Sequence, residues 1–518
     1  MNRNSRIQNS IINLITGFGY RIIIMFSAFI VRTVFIKCLN EAYLGVNGLY
    51  SDILSMLSLA ELGFSNAIVF SMYEPLAKKD YTKLRQLMVL YRRVYFIVGS
   101  IILALGLSIV PFLDLFIKNK PDVEGLTLYY LMFLGNTVLS YWCFAYRNSI
   151  LQADQRQYII SNYQSVFTLI KSVLQIILLI VFHSFTIYLV TQMVCTILQN
   201  LFLALRIKKE YPIFDHTKAV VKLSDNEVRH IFKDVKALVL SKVSHVVLNS
   251  TDSLIISAFV GINWVGLLSN YIMVTEAITG ILSQLTGAIQ ASLGNFFAQE
   301  NKEAGYRLFK NIEFLNFWLY GFSTIAFIVL LNPFITIWIG PTFKLPQMTV
   351  IAISVNFFVA GFMNTLWTFR STLGLFTQGQ YRPIIVAFIN VVLSILLSYP
   401  LGITGVLIAT SIARASVNLW YDPWMIHKKG FGKSVKGFYI SYLKRIGLMG
   451  VITFVMWTIA EKVVFANGIN LFNFVVMVVL TGLIPNLIFL LIYNKTDEYQ
   501  YFRNLVFHLF REKIKKRK

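Results

Sequence analysis

The 518-residue chain is 56% hydrophobic and only 14% charged, with a mean hydropathy of +0.65. A soluble domain carries roughly 25% charged residues, so this composition excludes an ordinary soluble globule, and the apolar excess excludes a disordered chain. The net charge is +23, from 47 Lys+Arg against 24 Asp+Glu. The three cysteines form no C-x-x-C pair, which argues against a disulfide framework or a metal site. The composition indicates a polytopic helical membrane protein.

Fourteen apolar runs are long enough to cross a bilayer, which takes about 20 residues at 1.5 Å of rise each. The first run follows MNRNSRIQNS without a small-residue cleavage site, so we interpret it as a retained helix. The predicted fold is all-α with fourteen transmembrane helices. In chain order the predicted spans are approximately 11–36, 44–72, 88–117, 126–149, 158–182, 185–206, 233–260, 265–295, 312–339, 347–369, 383–400, 403–426, 438–460 and 470–493.

The distribution of Lys and Arg predicts the orientation. With the N-terminus in the cytoplasm, the external segments hold only five basic residues, and most of the 47 fall in cytoplasmic segments such as the tail KIKKRK. This positive-inside bias places both termini in the cytoplasm. Contact with anionic lipid accounts for the net charge, so a nucleic-acid partner is not needed. YTKLRQLMVLYRRV and the C-terminal EYQYFRNLVFHLFREKIKKRK are typical of interfacial helices. The external basic residues are Lys37, Lys118, Lys120, Lys344 and Lys462.

The second half of the chain repeats the first at an offset of 221 to 223 residues. Where YLGVNGLY aligns with WVGLLSNY, Gly45 falls on Gly266 and Tyr50 on Tyr271. PFLDLFI also aligns with PFITIWI, and YRNSILQADQRQY aligns with FRSTLGLFTQGQY. Chance similarity between apolar runs would not also align Pro, Gly and Arg. We therefore predict an internal duplication.

The duplication predicts the domain organisation. It maps the first six spans onto the next six, and because six is even both copies enter the membrane in the same direction. Such parallel repeats form two lobes about a central cleft, and rocking of the lobes gives alternating access. The predicted boundaries are an N-lobe at 1–210, a cytoplasmic linker at 211–232, a C-lobe at 233–430, and spans 13 and 14 with a basic tail at 431–518.

Five basic residues fall inside the predicted spans. A charge at the bilayer centre costs at least about 2.5–3.5 kcal/mol, so each is a candidate for function. Arg21 lies near the middle of the first span, and the repeat places Lys242 at the matching position of the seventh. We predict a cationic cleft that suits an anionic substrate, since Arg binds phosphate bidentately. Snorkelling or local pairing is the alternative. The predicted substrate-binding residues are Arg21, Arg32, Lys171, Lys242 and Arg414.

Four acidic residues also lie at membrane depth. Asp52 and Glu61 are nine residues apart, on opposite faces of one helix. Asp252 and Glu276 lie in the seventh and eighth spans, and buried carboxylates can carry protons. We predict all four as candidates for coupling to H⁺ or Na⁺, with ion pairing to neighbouring Arg and Lys as the alternative. The sequence has no Walker A loop, metal-ligand cluster or nucleophile motif, so we expect no enzyme activity and no cofactor.

The chain resembles a known family. The plan of 6 + 6 + 2 spans, the run YLGVNGLYSDILSMLSLAELGFSNAIVFSMYEPLAKKD and the basic stretch after it resemble the polysaccharide-exporter branch of the multidrug/oligosaccharidyl-lipid/polysaccharide superfamily, and in particular Wzx-type flippases. The resemblance implies a V-shaped fold in a bacterial plasma membrane and a substrate of oligosaccharide on undecaprenyl pyrophosphate. It also implies that spans 13 and 14 accommodate the lipid tail, and that glycan polymerase or assembly proteins are partners.

Three other functions stay open. A lipid II flippase of the same superfamily shares the fourteen-helix plan. A drug–cation antiporter needs an acidic cleft, opposite in sign to the predicted one, and usually stops at twelve helices. A non-transporting membrane scaffold for glycan assembly is the third alternative.

Overall fold

The computed structural model describes residues 3–58, 64–118, 123–211, 223–224, 226–229, 250–299, 302–375, 379 and 381–515. These ranges are helical, with short connections. The helices are α1 (Arg3–Cys38), α2 (Glu41–Leu57), α3 (Phe64–Lys78), α4 (Tyr81–Ile109), α5 (Leu126–Trp142), α6 (Asn148–Ala153), α7 (Gln157–Phe182), α8 (Phe185–Glu210), α9 (Ser250–Val260), α10 (Ile262–Gln299), α11 (Lys302–Trp338), α12 (Gln347–Thr372), α13 (Arg382–Met425), α14 (Lys436–Ile459), α15 (Leu471–Tyr493) and α16 (Asp497–Lys515).

Within the described ranges, nine helices are long and apolar enough to cross a membrane. The prediction of an all-α, multi-pass membrane protein is therefore confirmed. The count of fourteen spans stays a prediction, because the predicted run at 233–260 is described only from residue 250. The predicted domain boundaries likewise stay predictions.

Local chemistry explains where several helices begin. The side chain of Asn40 accepts hydrogen bonds from the backbone amides of Ala42 and Tyr43 and so caps α2. Asp80 caps α4 in the same way, and Asn470 caps α15. These side chains satisfy amides that have no partner inside the helix.

A sharp turn inside α13 separates two predicted spans. Gly402 has φ +56° and ψ −135°, a conformation that L side chains rarely adopt, and it lies in the predicted gap between 400 and 403. Asn390 donates a hydrogen bond to the hydroxyl of Thr410 at 2.8 Å. In a straight helix residues twenty apart are about 30 Å apart, so the chain must reverse direction at Gly402.

Two predicted spans are interrupted. The run at 44–72 is divided into α2 and α3, with residues 59–63 outside the described ranges. The run at 126–149 is divided because α5 ends at Trp142 and Phe144 adopts φ +60°. The guanidinium of Arg147 lies 4.9 Å from the centre of the Phe144 ring, which stabilises this left-handed residue.

Contacts divide the chain into two compact units. Unit 1 is Met1–Ser269 and unit 2 is Asn270–Lys518. Unit 1 packs α1 against α7 and α7 against α8, while α5 packs against α4 and α8. Unit 2 packs α11 against α12 and α12 against α13, and α14, α15 and α16 each contact α11.

Two repeat-equivalent tyrosines lie at the core of these units. Tyr50 on α2 and Tyr271 on α10 are both fully buried. The Tyr50 hydroxyl donates to the carbonyl of Leu126 at the start of α5, at 3.1 Å. The Tyr271 hydroxyl accepts from the amide of Leu345, just before α12, at 2.9 Å. Each tyrosine thus holds the equivalent helix start of its own repeat, which supports the predicted duplication.

Candidate functional site

Arg32 of α1 belongs to a polar cluster in unit 1. Its side chain is half-buried, six residues before the end of α1, or about 9 Å along the helix axis. Its Nη1 donates a hydrogen bond to Ser269 Oγ of α10 at 2.8 Å. It is also close enough to Tyr188 of α8 for the two side chains to interact electrostatically. Two helices other than its own therefore orient this guanidinium.

Lys171 belongs to the same region. The side-chain amide of Gln175 on α7 donates a hydrogen bond to the backbone carbonyl of Tyr188 at 3.3 Å. Only 2% of Gln175 is exposed. Lys171 lies one helical turn before Gln175 on α7, so the two share a helix face. Arg32, Tyr188 and Gln175, with Lys171 one turn from Gln175 on α7, are here called the unit 1 polar cluster. Two of the five predicted cations therefore lie on α1 and α7, two helices that pack against each other.

The other predicted cations lie elsewhere or outside the described residues. Arg21 is exposed on α1, eleven residues before Arg32. Lys242 is outside the described residues. Arg414 is half-buried in unit 2, on the second half of α13. The hydroxyl of Ser411, one turn earlier on α13, donates to Asn356 Oδ1 of α12 at 2.5 Å. Arg414 therefore adjoins a polar seam between α12 and α13.

The predicted acidic residues are spread over both units. Asp52 on α2 and Asp252 on α9 are half-buried, and each has an interaction partner. Glu276 on α10 is exposed. Glu61 is outside the described residues. Across the part of the chain that the structure describes, no three His, Cys, Asp or Glu side chains form a group that could hold a metal ion.

Sequence reasoning missed an arginine cluster in unit 2. Arg382 Nη2 lies 2.8 Å from Asp422 Oδ1, and Arg370 Nη1 lies 3.5 Å from the same oxygen. All three residues are at least 91% buried. Arg370 Nε also donates to the carbonyl of Leu375 at 2.9 Å. One carboxylate on α13 therefore joins the end of α12 to the start of α13, an arrangement here called the unit 2 clamp.

Unit 1 has a corresponding arrangement around the hairpin between α5 and α7. Arg147 aligns with Arg370 in the repeat, and its Nη1 donates to the carbonyl of Ala204 on α8 at 3.1 Å. Arg156 Nη1 lies 2.7 Å from Glu210 Oε2 at the end of α8. These contacts are here called the unit 1 clamp.

A tyrosine completes the unit 1 clamp. The hydroxyl of Tyr211 donates to Asp154 Oδ2 at 2.6 Å. Burial and this hydrogen bond raise the pKa of the Tyr211 phenol above its ordinary range, so it stays a proton donor at neutral pH. The alignment of Arg147 with Arg370 was the one sequence signal for both clamps, since the acidic partners have no common spacing.

A further buried ion pair joins α14 to α11. Arg445 Nη1 lies 2.5 Å from Glu313 Oε2, and the guanidinium packs between the rings of Phe314 and Phe317, 5.4 and 5.5 Å from their centres. The indole of Trp318 also donates to Asn486 of α15 at 2.8 Å. These contacts attach the helices outside the repeat to unit 2.

These groups differ in what they can bind. In the clamps and the Arg445 pair, a carboxylate offsets the charge of most of the guanidinium groups; these are Arg156, Arg370, Arg382 and Arg445. In the unit 1 polar cluster, Arg32 donates to the hydroxyl of Ser269 and interacts with the phenol of Tyr188, and Lys171 interacts with the thiol of Cys195. A half-buried cation attracts an anion more strongly than a fully hydrated cation does, because less water screens its charge. The unit 1 polar cluster is therefore the best candidate for binding an anionic group.

A family model described as polysaccharide biosynthesis protein matches residues 8–289. Across the curated proteins, no match to the sequence is found.

Solved structures share the fold. The structure of "Lipid II flippase MurJ, inward closed conformation" is 16% identical and covers 93% of this chain and 99% of its own, with a TM-score of 0.61. An inward-facing multidrug resistance MATE transporter of the MOP superfamily is 15% identical over 79% of this chain and 97% of its own, with a TM-score of 0.54. A MOP superfamily transporter from Pyrococcus furiosus is 15% identical over 79% and 93%, with a TM-score of 0.52. The chain therefore has the fold of MOP superfamily transporters.

Proposed function

Because this chain belongs to the polysaccharide biosynthesis protein family, we propose that it is a flippase for lipid-linked glycans. It moves oligosaccharide repeat units on undecaprenyl pyrophosphate from the cytoplasmic to the outer leaflet of a bacterial plasma membrane. The product supplies O-antigen, capsule or exopolysaccharide synthesis, and the movement uses alternating access.

The unit 1 polar cluster is the observation that carries this proposal. Arg32 and Lys171 are two half-buried cations on the long apolar helices α1 and α7, beside the hydroxyl groups of Ser269 and Tyr188 and the thiol of Cys195. The pyrophosphate is the one obligatory negative group of the proposed substrate, and Arg can bind it through two parallel hydrogen bonds. Tyr188 and Gln175 supply polar atoms beside the cations. The fold also suits a lipid cargo, because one solved structure that has it is named a lipid II flippase.

We propose that an ion gradient supplies the energy, with consumption of the product outside as the alternative, because the sequence has no nucleotide-binding loop. Asp252 and Glu276 are the carboxylates that we propose for coupling to H⁺ or Na⁺, with Asp52 and Glu61 as further candidates. Asp252→Asn and Glu276→Gln should each reduce transport driven by an H⁺ or Na⁺ gradient. They should affect transport down the substrate's own concentration gradient less. Flipping that ignores both ion gradients in proteoliposomes would contradict the coupling but not the substrate.

The substrate proposal is tested by flipping assays in proteoliposomes. We expect Arg32→Gln and Lys171→Gln each to slow the flipping of undecaprenyl-pyrophosphate-linked oligosaccharide by roughly tenfold or more, as loss of a charge-assisted hydrogen bond predicts. Lys37→Gln is the matched control, because Lys37 is an exposed cation in the last turn of the same helix. Equal activity of the Arg32 and Lys37 variants would contradict the proposal.

Lipid II is the alternative cargo. The structural similarity to a lipid II flippase extends over 93% of this chain, so the same assay should also measure the flipping of lipid II. Faster flipping of lipid II than of the oligosaccharide would replace the proposed substrate while leaving the anion site in place.

A further inference from the structure

Two glycines allow α2 and α10 to cross at very short distance. A Cβ atom at Gly45 would overlap the carbonyl oxygen of Ile262, and a Cβ atom at Gly266 would overlap the carbonyl oxygen of Glu41. Neither carbonyl can move like a flexible side chain, because both belong to helix backbone. Only glycine is compatible with this contact, here called the α2–α10 crossing.

The crossing is symmetric in the repeat. The offset of 221 residues maps Gly45 onto Gly266 and Glu41 onto Ile262. Gly45 of α2 therefore contacts the first residue of α10, and Gly266 of α10 contacts the first residue of α2. A reciprocal contact of this kind pairs equivalent positions of the two helices, so displacement of either helix breaks both halves of the contact.

A short chain of hydrogen bonds connects the crossing to the unit 1 polar cluster. Ser269 Oγ donates to the carbonyl of Gly266 at 2.7 Å. The same oxygen accepts from Arg32 Nη1 at 2.8 Å. Arg32 thus holds α10 to α1 through the hydroxyl next to the crossing. On the predicted orientation this is the outer end of the helices.

We propose that Ser269 is a positioning residue that couples anion binding at Arg32 to the α2–α10 crossing. This inference rests on the proposed function, since it takes Arg32 as a ligand of the substrate diphosphate. A diphosphate oxygen is a stronger acceptor for a guanidinium than a serine hydroxyl is, so the anion displaces Ser269 from Arg32. The tie between α1 and α10 is then lost, and the crossing loosens.

Linkage makes the effect reciprocal. If the anion favours a loose crossing, a closed crossing must weaken anion binding by the same factor. The crossing and the substrate then compete for one guanidinium. Such competition would keep the outer end closed in the absence of cargo and release it when cargo is bound.

The test measures the closed crossing by disulfide formation. A Cβ atom at Gly48 would lie 3.2 Å from Val265 Cγ1, so the pair Gly48→Cys and Val265→Cys is placed to form a disulfide while the crossing is closed. The parent protein carries this pair with Cys38, Cys143 and Cys195 replaced by Ala. Full-length protein in proteoliposomes is oxidised with and without farnesyl diphosphate, and farnesol is the uncharged control. Binding of farnesyl diphosphate is measured in parallel, and thermal unfolding checks that each variant is folded.

We expect farnesyl diphosphate, and not farnesol, to slow disulfide formation in the parent about five- to tenfold. In Ser269→Ala the rate should already be slow and should not respond to the diphosphate, while the diphosphate binds at least as tightly. Ser269→Thr should restore the response. Ser283→Ala is the matched control, because Ser283 makes the same bond to the carbonyl three residues earlier on α10, and it should behave as the parent.

Several results would overturn the inference. If the diphosphate slows disulfide formation equally in Ser269→Ala, coupling does not pass through Ser269. If the parent forms no disulfide, the crossing is not the resting contact. If the diphosphate binds but leaves the parent's disulfide rate unchanged, the coupling fails while the anion site stands. Binding that is unaffected by Arg32→Gln would overturn the anion site of the proposed function and the coupling with it.

Discussion

The two clamps occupy equivalent hairpins of the predicted repeat, and their arginines have different partners. In the unit 2 clamp, Arg370 and Arg382 share Asp422, and all three side chains are almost completely buried. In the unit 1 clamp, Arg147 bonds a carbonyl and Arg156 bonds Glu210, and the side chains of that ion pair remain 23% and 18% exposed. One unit contains a buried charge cluster, and the other a cluster that water still reaches.

The difference shows what duplication preserves. The arginine at 147 and 370 is common to both copies, whereas its partner is a backbone carbonyl in one and a carboxylate in the other. Burial then determines how much each contact matters. A buried charge whose partner is removed has no water to replace it, whereas a half-exposed charge regains hydration.

The largest effect is expected in the unit 2 clamp. Asp422→Asn leaves two buried guanidinium groups without a counter-ion and should lower the free energy of unfolding by about 3–5 kcal/mol. Thermal and denaturant unfolding in detergent measure it. As a control, Asp422→Asn combined with Arg370→Met and Arg382→Met removes all three charges and should recover much of the loss. A loss below about 1 kcal/mol in the single variant would show that the clamp is not buried in solution.

The repeat-equivalent tyrosines extend the comparison to the other end of the helices. The Tyr271 hydroxyl bonds both Asn332 Oδ1, at 2.5 Å, and the Leu345 amide, whereas Tyr50 bonds only the Leu126 carbonyl among its described contacts. Tyr271→Phe should cost about 2–3 kcal/mol, because it leaves two buried groups unsatisfied, and Tyr50→Phe about 1 kcal/mol. Equal losses in parallel unfolding experiments would refute the idea that unit 2 carries the more buried polar contacts.

The unit 1 clamp should tolerate neutralisation. Glu210→Gln keeps a hydrogen-bond acceptor for Arg156 and leaves a charge that water can reach, so we expect a loss of about 1 kcal/mol. The same unfolding assay measures it, with Arg156→Gln as the partner variant. A loss as large as that of Asp422→Asn would remove the distinction between the two clamps.

The smallest effect concerns an exposed ion pair of unit 1. Hydrogen bonds from Lys83, and then from Ser224, hold the pKa of the Glu227 carboxyl below its ordinary range. A carboxyl whose folded-state pKa is lowered contributes stability above its unfolded pKa and loses it as the pH falls through the folded value. The Tm difference between the wild type and Glu227→Gln should therefore be small at pH 7, decrease as the pH falls below about 4.3, and vanish once the folded-state carboxyl is protonated. A difference that grows on acidification would contradict this assignment.

Much of the fold could be predicted because it depends on local patterns. The apolar runs predicted the long helices, and the gap between the runs at 383–400 and 403–426 fell on Gly402, where the chain turns. The alignment of Tyr50 with Tyr271 predicted that the two residues are equivalent, and in the structure each hydroxyl bonds the backbone near the start of the equivalent helix. The sequence pattern did not reveal the break at Phe144, where the backbone is left-handed and Arg147 packs over the ring.

The site was predicted less completely. Depth in a span identified Arg32 and Lys171 as candidates, and both lie on helices that pack together in unit 1, whereas the predicted site residues did not include Arg370 or Arg382. Their partner, Asp422, lies 52 residues from Arg370, and no local spacing connects them.

By itself the sequence determined the membrane environment and the helical class, since these follow from hydropathy and periodicity along the chain, and it predicted a duplication and the depth of each charge. Only the tertiary structure decided which arginines are neutralised within the protein and which face neutral groups, because the partners come from helices distant in sequence. It also decided that Gly45 and Gly266 are contact points, because a missing side chain matters only where another helix occupies its space.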